Sequence, residues 1–305
     1  MKVRTLLLLS FSFLLLGVLV VNAGWWDEEQ TVAAGPTKQV QSFQGTGGSA
    51  AKTLINWEDG YIEAVGMASV DTAKMKNKVQ AELMAQEGAC TMAYAKLSEM
   101  LNGVAVTANT TVVAMLTEDQ FARSATQGII QGARRIEEHV SWDGASPKGI
   151  CRIGIVLRGA KGMQVPFYEA AIRNKVEGNI PVFVAPQGAP APAQAYTGVV
   201  IDARGYNLKP AMIPQIFTDD GKLVYGASIV DPQAVRQIGV AGYSSCIDCP
   251  KAVERVGDKP LVIKAAGLFG NQNAGVRIGT ADALAALAAN TRDGLFKMAK
   301  VLFLL

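Results

Sequence analysis

The sequence predicts an α+β fold in two α/β-sandwich-like domains, the first and second segments below, with helices packed on mixed or antiparallel sheets. Three observations predict it. Apolar residues recur at every second position over 61–68 and 150–158, as in half-buried strands. Between them lies a long run with three-or-four-residue apolar spacing, as in an amphipathic helix. A second set of short apolar runs begins at Tyr196, beyond the Pro/Ala-rich stretch 186–195, which reads as a semi-extended linker.

The chain opens with Lys2 and Arg4, an uncharged and mostly apolar run Thr5–Val21 and the small-residue site Val21-Asn22-Ala23. This order is that of a signal peptide over 1–23, so the protein is expected to be exported, to the periplasm or beyond the cell. Cleavage leaves no membrane span; retention of the run as an anchor is the alternative. No cysteine precedes Cys90, so an N-terminal lipid anchor is not expected. Residues 24–54 read as a flexible leader. Within them Gly45–Thr53, GTGGSAAKT, fails the phosphate-loop spacing, because glycine would be needed at Thr46 and Ala51.

The first segment, 55–161, begins with the strand Tyr61–Ala68, whose inward positions are Ile62, Ala64, Gly66 and Ala68. Asp71 is expected to cap a helix over Thr72–Leu101, with Val79, Leu83, Cys90, Tyr94, Leu97 and Leu101 inward and Asn102-Gly103 ending it. Thr110–Met115 reads as a strand. Thr117-Glu-Asp-Gln120 is a capping-box pattern for a helix to about Gln131. Arg135–Trp142 and Ile150–Arg158 read as a strand pair turning at Asp143-Gly144. The connecting segment, 162–195, carries a short helix, Tyr168–Val176, and a strand, Pro181–Ala185. In the second segment, 196–305, strands are expected at Thr197–Arg204, at Leu261–Ala266 and in the terminal run Ala299–Leu305, the last of them buried. A helix is expected over Thr280–Ala289, and a hairpin turn at Asp219–Lys222.

Composition narrows the function. Formal charge is +3 for the whole chain and falls to +1 once Lys2 and Arg4 are removed. That is no footprint for nucleic acid. The single histidine, His139, excludes zinc sites built on several histidines, and as a strand residue alternating with Glu137 it reads as a surface residue. There is no G-x-S-x-G elbow, and Ser244-Ser245 lacks a nearby base. No cofactor and no catalytic residue is expected.

Two groups of residues remain. Cys246 and Cys249, in SSCIDCP, read as a local disulfide or free thiols, since one CxxC supplies only two of the four ligands zinc needs. A redox-active pair would open a helix after a strand; Pro250 suits a helix start, but no such order of elements is visible around it. Asp202 and Arg204 share a strand face by alternation, so they read as a structural ion pair and as candidate contacts to a partner or another subunit.

Tyr61-Ile-Glu-Ala-Val-Gly-Met-Ala-Ser69, the alanine-rich helix with Ala93-Tyr94, Leu97 and Asn102-Gly103-Val104, and Gly128–Ala133 resemble the FlgP-like outer-membrane lipoproteins of flagellated bacteria. YTGVVIDARGYNLKPAMIPQIF, GKLVYG, DKPLVIKAAG and KVLFLL are similar to the C-terminal extension of larger periplasmic members. The resemblance implies a non-enzymatic envelope protein that supports flagellar or surface assembly through homo-oligomers and other envelope proteins. The missing lipidation cysteine and the CIDC motif depart from that pattern. A periplasmic binding module for cell wall or polysaccharide is the alternative.

Overall fold

In the computed structural model, residues 42–43, 53–187 and 194–305 are described. The expected signal peptide, most of the expected leader and residues 188–193 of the expected linker lie outside them. The described residues contain seven helices and three sheets, an α+β fold.

The first sheet is antiparallel, in the order β1-β2-β3-β5-β4, from β1 (Ser42–Phe43), β2 (Thr53–Asn56), β3 (Tyr61–Ser69), β4 (Arg134–Asp143) and β5 (Ser146–Val156). Where the helix comes closest, its inward residues on β3 and β5 are small: Ala64 and Gly66 on one, Gly149 and Cys151 on the other. Helix α1 (Lys78–Asn102) lies on them and buries Ala81, Ala85, Ala89, Cys90, Ala93, Leu97 and Leu101. Alanine and glycine face each other because the helix backbone rests almost on the sheet. A Cβ on Gly149 would fall 2.2 Å from the Ala85 carbonyl oxygen.

This close packing corrects the expected helix face. Val79 and Leu83 are exposed, since the row that touches the sheet is the alanine row. Asp71 caps only a 3-10 turn, Thr72–Lys74, and the chain then re-extends at Met75. The helix starts later, where the Asn77 side chain accepts from the Gln80 amide. It is therefore about 37 Å long at 1.5 Å per residue, rather than the 45 Å of the expected span.

Thr110–Met115 forms no strand. Thr111 accepts from the Ala114 amide and opens α2 (Val112–Glu118), a local side-chain cap that outweighs the β-branched composition. Asp119 opens α3 (Gln120–Gln131), and α4 (Gln164–Arg173) follows β5. Pro181–Ala185 contributes one bridge, between Val182 and Leu223, instead of a strand.

The second segment carries two sheets. One, in the order β10-β6-β13-β9, is parallel throughout and is made of β6 (Val199–Asp202), β9 (Gly242–Ser244), β10 (Leu261–Lys264) and β13 (Val301–Leu304). Helix α6 (Pro250–Val256) crosses from β9 to β10. The last strand, β13, is buried along its length between β6 and β9, as its unbroken apolar sequence requires. The other sheet, β11-β12-β7-β8, contains β7 (Gln215–Thr218), β8 (Leu223–Tyr225), β11 (Gly267–Phe269) and β12 (Gly275–Ile278). Its β7–β8 hairpin turns through Asp219–Lys222. Helices α5 (Pro232–Ile238) and α7 (Thr280–Asp293) complete the segment.

The segments share one apolar core that runs from Ile55 and Ile62 through Phe167 to Tyr243 and Phe303. Met212 and Ile213 donate to the backbone oxygens of Ala105 and Val106, so backbone pairing also joins them. No described helix is long and apolar enough to cross a membrane.

Candidate functional site

Parallel strands deliver their carboxyl ends to one edge, where loop residues from separate parts of the chain meet. Here that edge collects Lys264 from β10, Asp202 from β6, Leu304 from β13 and Ser244 from β9. Two polar groups stand on it.

The first is the predicted pair. Arg204 grips Asp202 with two side-chain bonds, Nε to Oδ1 at 2.8 Å and Nη2 to Oδ2 at 2.7 Å, and its backbone amide adds a third at 3.2 Å. The Asp202 side chain is 14% exposed and the Arg204 side chain 54%. Hydrogen bonding to Arg204 holds Asp202 below the usual carboxylate range, with Lys264 adding to the effect. The carboxylate is already engaged by its own neighbour, so it is poorly placed to act as a base.

The second group forms where the β2–β3 turn, Trp57–Gly60, reaches over to β9 and α6. Trp57 meets Tyr243 edge-on, 5.6 Å between ring centres. The Ser244 hydroxyl donates to the Glu58 carboxylate at 2.7 Å, and Lys251 pairs with Asp59. Arg158 donates to the backbone oxygens of Trp57 and Glu58 and so fixes the turn. Burial pushes Arg158 below the usual arginine range, against the pull of the Asp59, Glu254 and Glu58 carboxylates. Ser244 therefore acts as a joint between segments, and the histidine that would activate it is elsewhere. His139 sits on the first sheet, 3.3 Å from Glu137.

Cys246 and Cys249 are joined in a disulfide with Cα atoms 5.6 Å apart. They lie in the loop from β9 to α6, and Cys249 is the residue before the first turn of that helix. The strand–CxxC–helix order is thus present, although β9 is only three residues long and left no periodic signal.

Other functional-looking groups escaped the sequence reading. Cys90 and Cys151 form a second bridge, Cα atoms 5.0 Å apart, that ties α1 to β5. Cys90 falls on the apolar stripe of α1 and Cys151 on the alternating apolar row of β5, which is the only local signal of the bridge. The Glu138 carboxylate lies 3.6 Å from Cys90 Sγ and is held by Arg135 at 2.9 Å. With their sulfurs joined, these cysteines offer no thiolates to a metal. Buried Arg255 donates to the backbone oxygens of Ile238, Gly239 and Ala299. Burial, reinforced by the charge of Arg158, pushes it down to about 9. Glu177 accepts from Gln215 and from the amides of Ala227 and Ser228. Arg255 and Glu177 are thus occupied in holding backbone.

Residues 198–305 match a family described as the second domain of Treponema pallidum Tp0624. The matched stretch runs from the residue before β6 through β13 and so takes in both sheets of the second segment. No curated protein matches the chain.

Proposed function

We propose that this protein is a non-enzymatic structural or assembly component of the cell envelope, which works by associating with further copies of itself and with other envelope proteins. The observation that carries the reading is strand β4. It closes one edge of the first sheet, is ten residues long, and is largely exposed. An open edge presents unpaired backbone donors and acceptors to another strand. Arg135, Glu137 and Glu138 on this edge restrict pairing to a charge-matched partner. The face of the sheet opposite α1 adds half-exposed Val65, Met67 and Ile150 beside exposed Ile136.

The polar clusters support the same reading, since Asp202, Ser244 and Glu177 are each engaged in joining backbone or side chains of the fold. The FlgP-like resemblance of the first segment adds flagellar or outer-membrane surface structures as the setting, and periplasmic or secreted location follows from the signal-like N-terminus. Light scattering on the mature chain over a wide concentration range tests the proposal. Self-association that Ile136→Asp weakens at unchanged melting temperature supports it. A monomer at every concentration that also captures no envelope protein overturns it.

One observation favours a second reading, a binding module for cell-wall or polysaccharide ligands: the half-exposed Arg204 guanidinium at the carboxyl edge, beside Asp202 and Lys264. Sedimentation with isolated cell wall that Asp202→Ala abolishes would put that reading first.

A further inference from the structure

The two disulfides sit in opposite environments. Cys90–Cys151 lies between helix and sheet, its residues 2% and 0% exposed. Cys246–Cys249 lies in a surface loop, and both of its residues are half-buried. The first joins residues 61 apart in sequence and the second residues three apart. Exposure gives a thiolate access to a sulfur, and a short closed loop gains less from being closed than a long one.

The loop that carries the second bridge is held by contacts other than the S–S bond. Ile247 and Cys249 pack on the cluster of Val200, Ala252, Val256, Leu302 and Leu304. The Cys246 amide donates to the Ser244 hydroxyl at 3.2 Å. These contacts hold both ends of the loop in addition to the S–S bond. They also make the sulfurs unequal, because Cys249 belongs to the apolar cluster and Cys246 does not.

We propose that Cys246–Cys249 is a thiol–disulfide exchange site, while Cys90–Cys151 is a closed structural bridge. The reaction partner is a thiol, either a small-molecule thiol or a protein dithiol. The incoming thiolate attacks Cys246 Sγ, forming a mixed disulfide and releasing Cys249 as a thiolate. A second thiolate, from the same dithiol or a second small thiol, attacks the partner sulfur of that mixed disulfide and releases Cys246. Water protonates the two cysteine thiolates. The bridge gains two electrons and two protons, and the partner's two thiols become one disulfide; the reverse direction oxidises a partner dithiol.

The test equilibrates the full chain in graded mixtures of reduced and oxidised glutathione, traps thiols by alkylation, and maps them by mass spectrometry. A parallel arm uses reduced thioredoxin at equal thiol concentration. Cys246 and Cys249 should become alkylated at a glutathione ratio at least ~10-fold less reducing than opens Cys90–Cys151, with the circular dichroism spectrum unchanged. Cys249→Ser should accumulate a mixed disulfide at Cys246, and Cys246→Ser should form little at Cys249. Faster reduction by thioredoxin identifies a protein dithiol as the partner class, and equal or faster reduction by glutathione identifies a small thiol. Opening of both bridges together, or of Cys246–Cys249 only when the chain unfolds, overturns the proposal. The wild-type titration decides this even if a serine variant fails to fold.

Discussion

The Cβ position that Gly66 leaves empty lies 2.0 Å from the Ala89 carbonyl oxygen, so β3 and α1 meet backbone to backbone. Any side chain at residue 66 must push the helix off the sheet. Gly66→Ala should therefore cost about 3 kcal/mol or more, at the upper end of overpacking effects. Gly128 on the exposed side of α3 has nothing within 4 Å of its Cβ position. Gly128→Ala should instead stabilise by up to about 1 kcal/mol. Urea denaturation of both variants checks the pair of signs.

The buried bridge should contribute most of what disulfides give to stability. Closing a loop between residues 61 apart corresponds to about 4 kcal/mol in the chain-entropy model, against about 2 kcal/mol for a loop as short as that of Cys246–Cys249. The double variant Cys90→Ala/Cys151→Ala should lose more denaturation midpoint than Cys246→Ala/Cys249→Ala. Equal losses would contradict the entropic assignment.

Much of this architecture was legible because it is written in local patterns. The period-2 runs around Ile62 and Ile153, the turn at Asp219–Lys222 and the apolar run Val301–Leu304 each report burial directly. Elements set by tertiary contact were not. Val79 and Leu83 fit a helical stripe as well as the alanine row does, and only the glycines of the facing strands decide that the alanine row is buried. Thr111, Val112 and Val113 look like strand residues until the hydroxyl of Thr111 is seen capping a helix. At the candidate site, alternation put Asp202 and Arg204 on one strand face, but β6 ends at Asp202 and the two meet in the turn that follows, where the Arg204 amide also donates to Asp202 Oδ1. The meeting of Glu58 with Ser244 spans 186 positions, and no local pattern reports it.

Asp119 should make stability depend on acid. It caps α3 through the Ala122 amide at 2.8 Å and receives Arg173 bidentately and Asn174. Burial alone would raise its carboxyl, but the Ala122 amide, Arg173 and Asn174 outweigh burial and bring it below the ordinary range. A folded value below the unfolded one means that its stabilisation is complete above the unfolded value, near 4, and fades as pH falls through the folded value. Asp119→Asn should cost about 2 kcal/mol at neutral pH and flatten the loss of melting temperature below about pH 4. A variant with the full wild-type acid dependence would show that other carboxylates carry it.

Glu177 offers the most local test of a buried polar joint. Its Oε1 accepts from Gln215 Nε2 at 2.7 Å and from the Ala227 amide at 2.9 Å, and its Oε2 accepts from the Ser228 amide at 2.8 Å. Gln215 in turn accepts from the Ala108 amide at 3.1 Å, so one chain of bonds links four separate stretches of backbone. All three donors face an acceptor-only group. Glu177→Gln replaces one oxygen with an NH2 group, which must then point at a donor whichever way the amide is turned. The expected cost is about 1–3 kcal/mol, the penalty for a buried donor left unmatched. Amide exchange at Ala227 or Ser228 should accelerate, while exchange in α1, on the other sheet, should follow only the global stability. In a double-mutant cycle with Gln215→Leu, the two losses should fall short of adding by about 1 kcal/mol, since both act on the same bonds. Additive losses with unchanged exchange at Ala227 and Ser228 would mean that the carboxylate is not what fixes this turn.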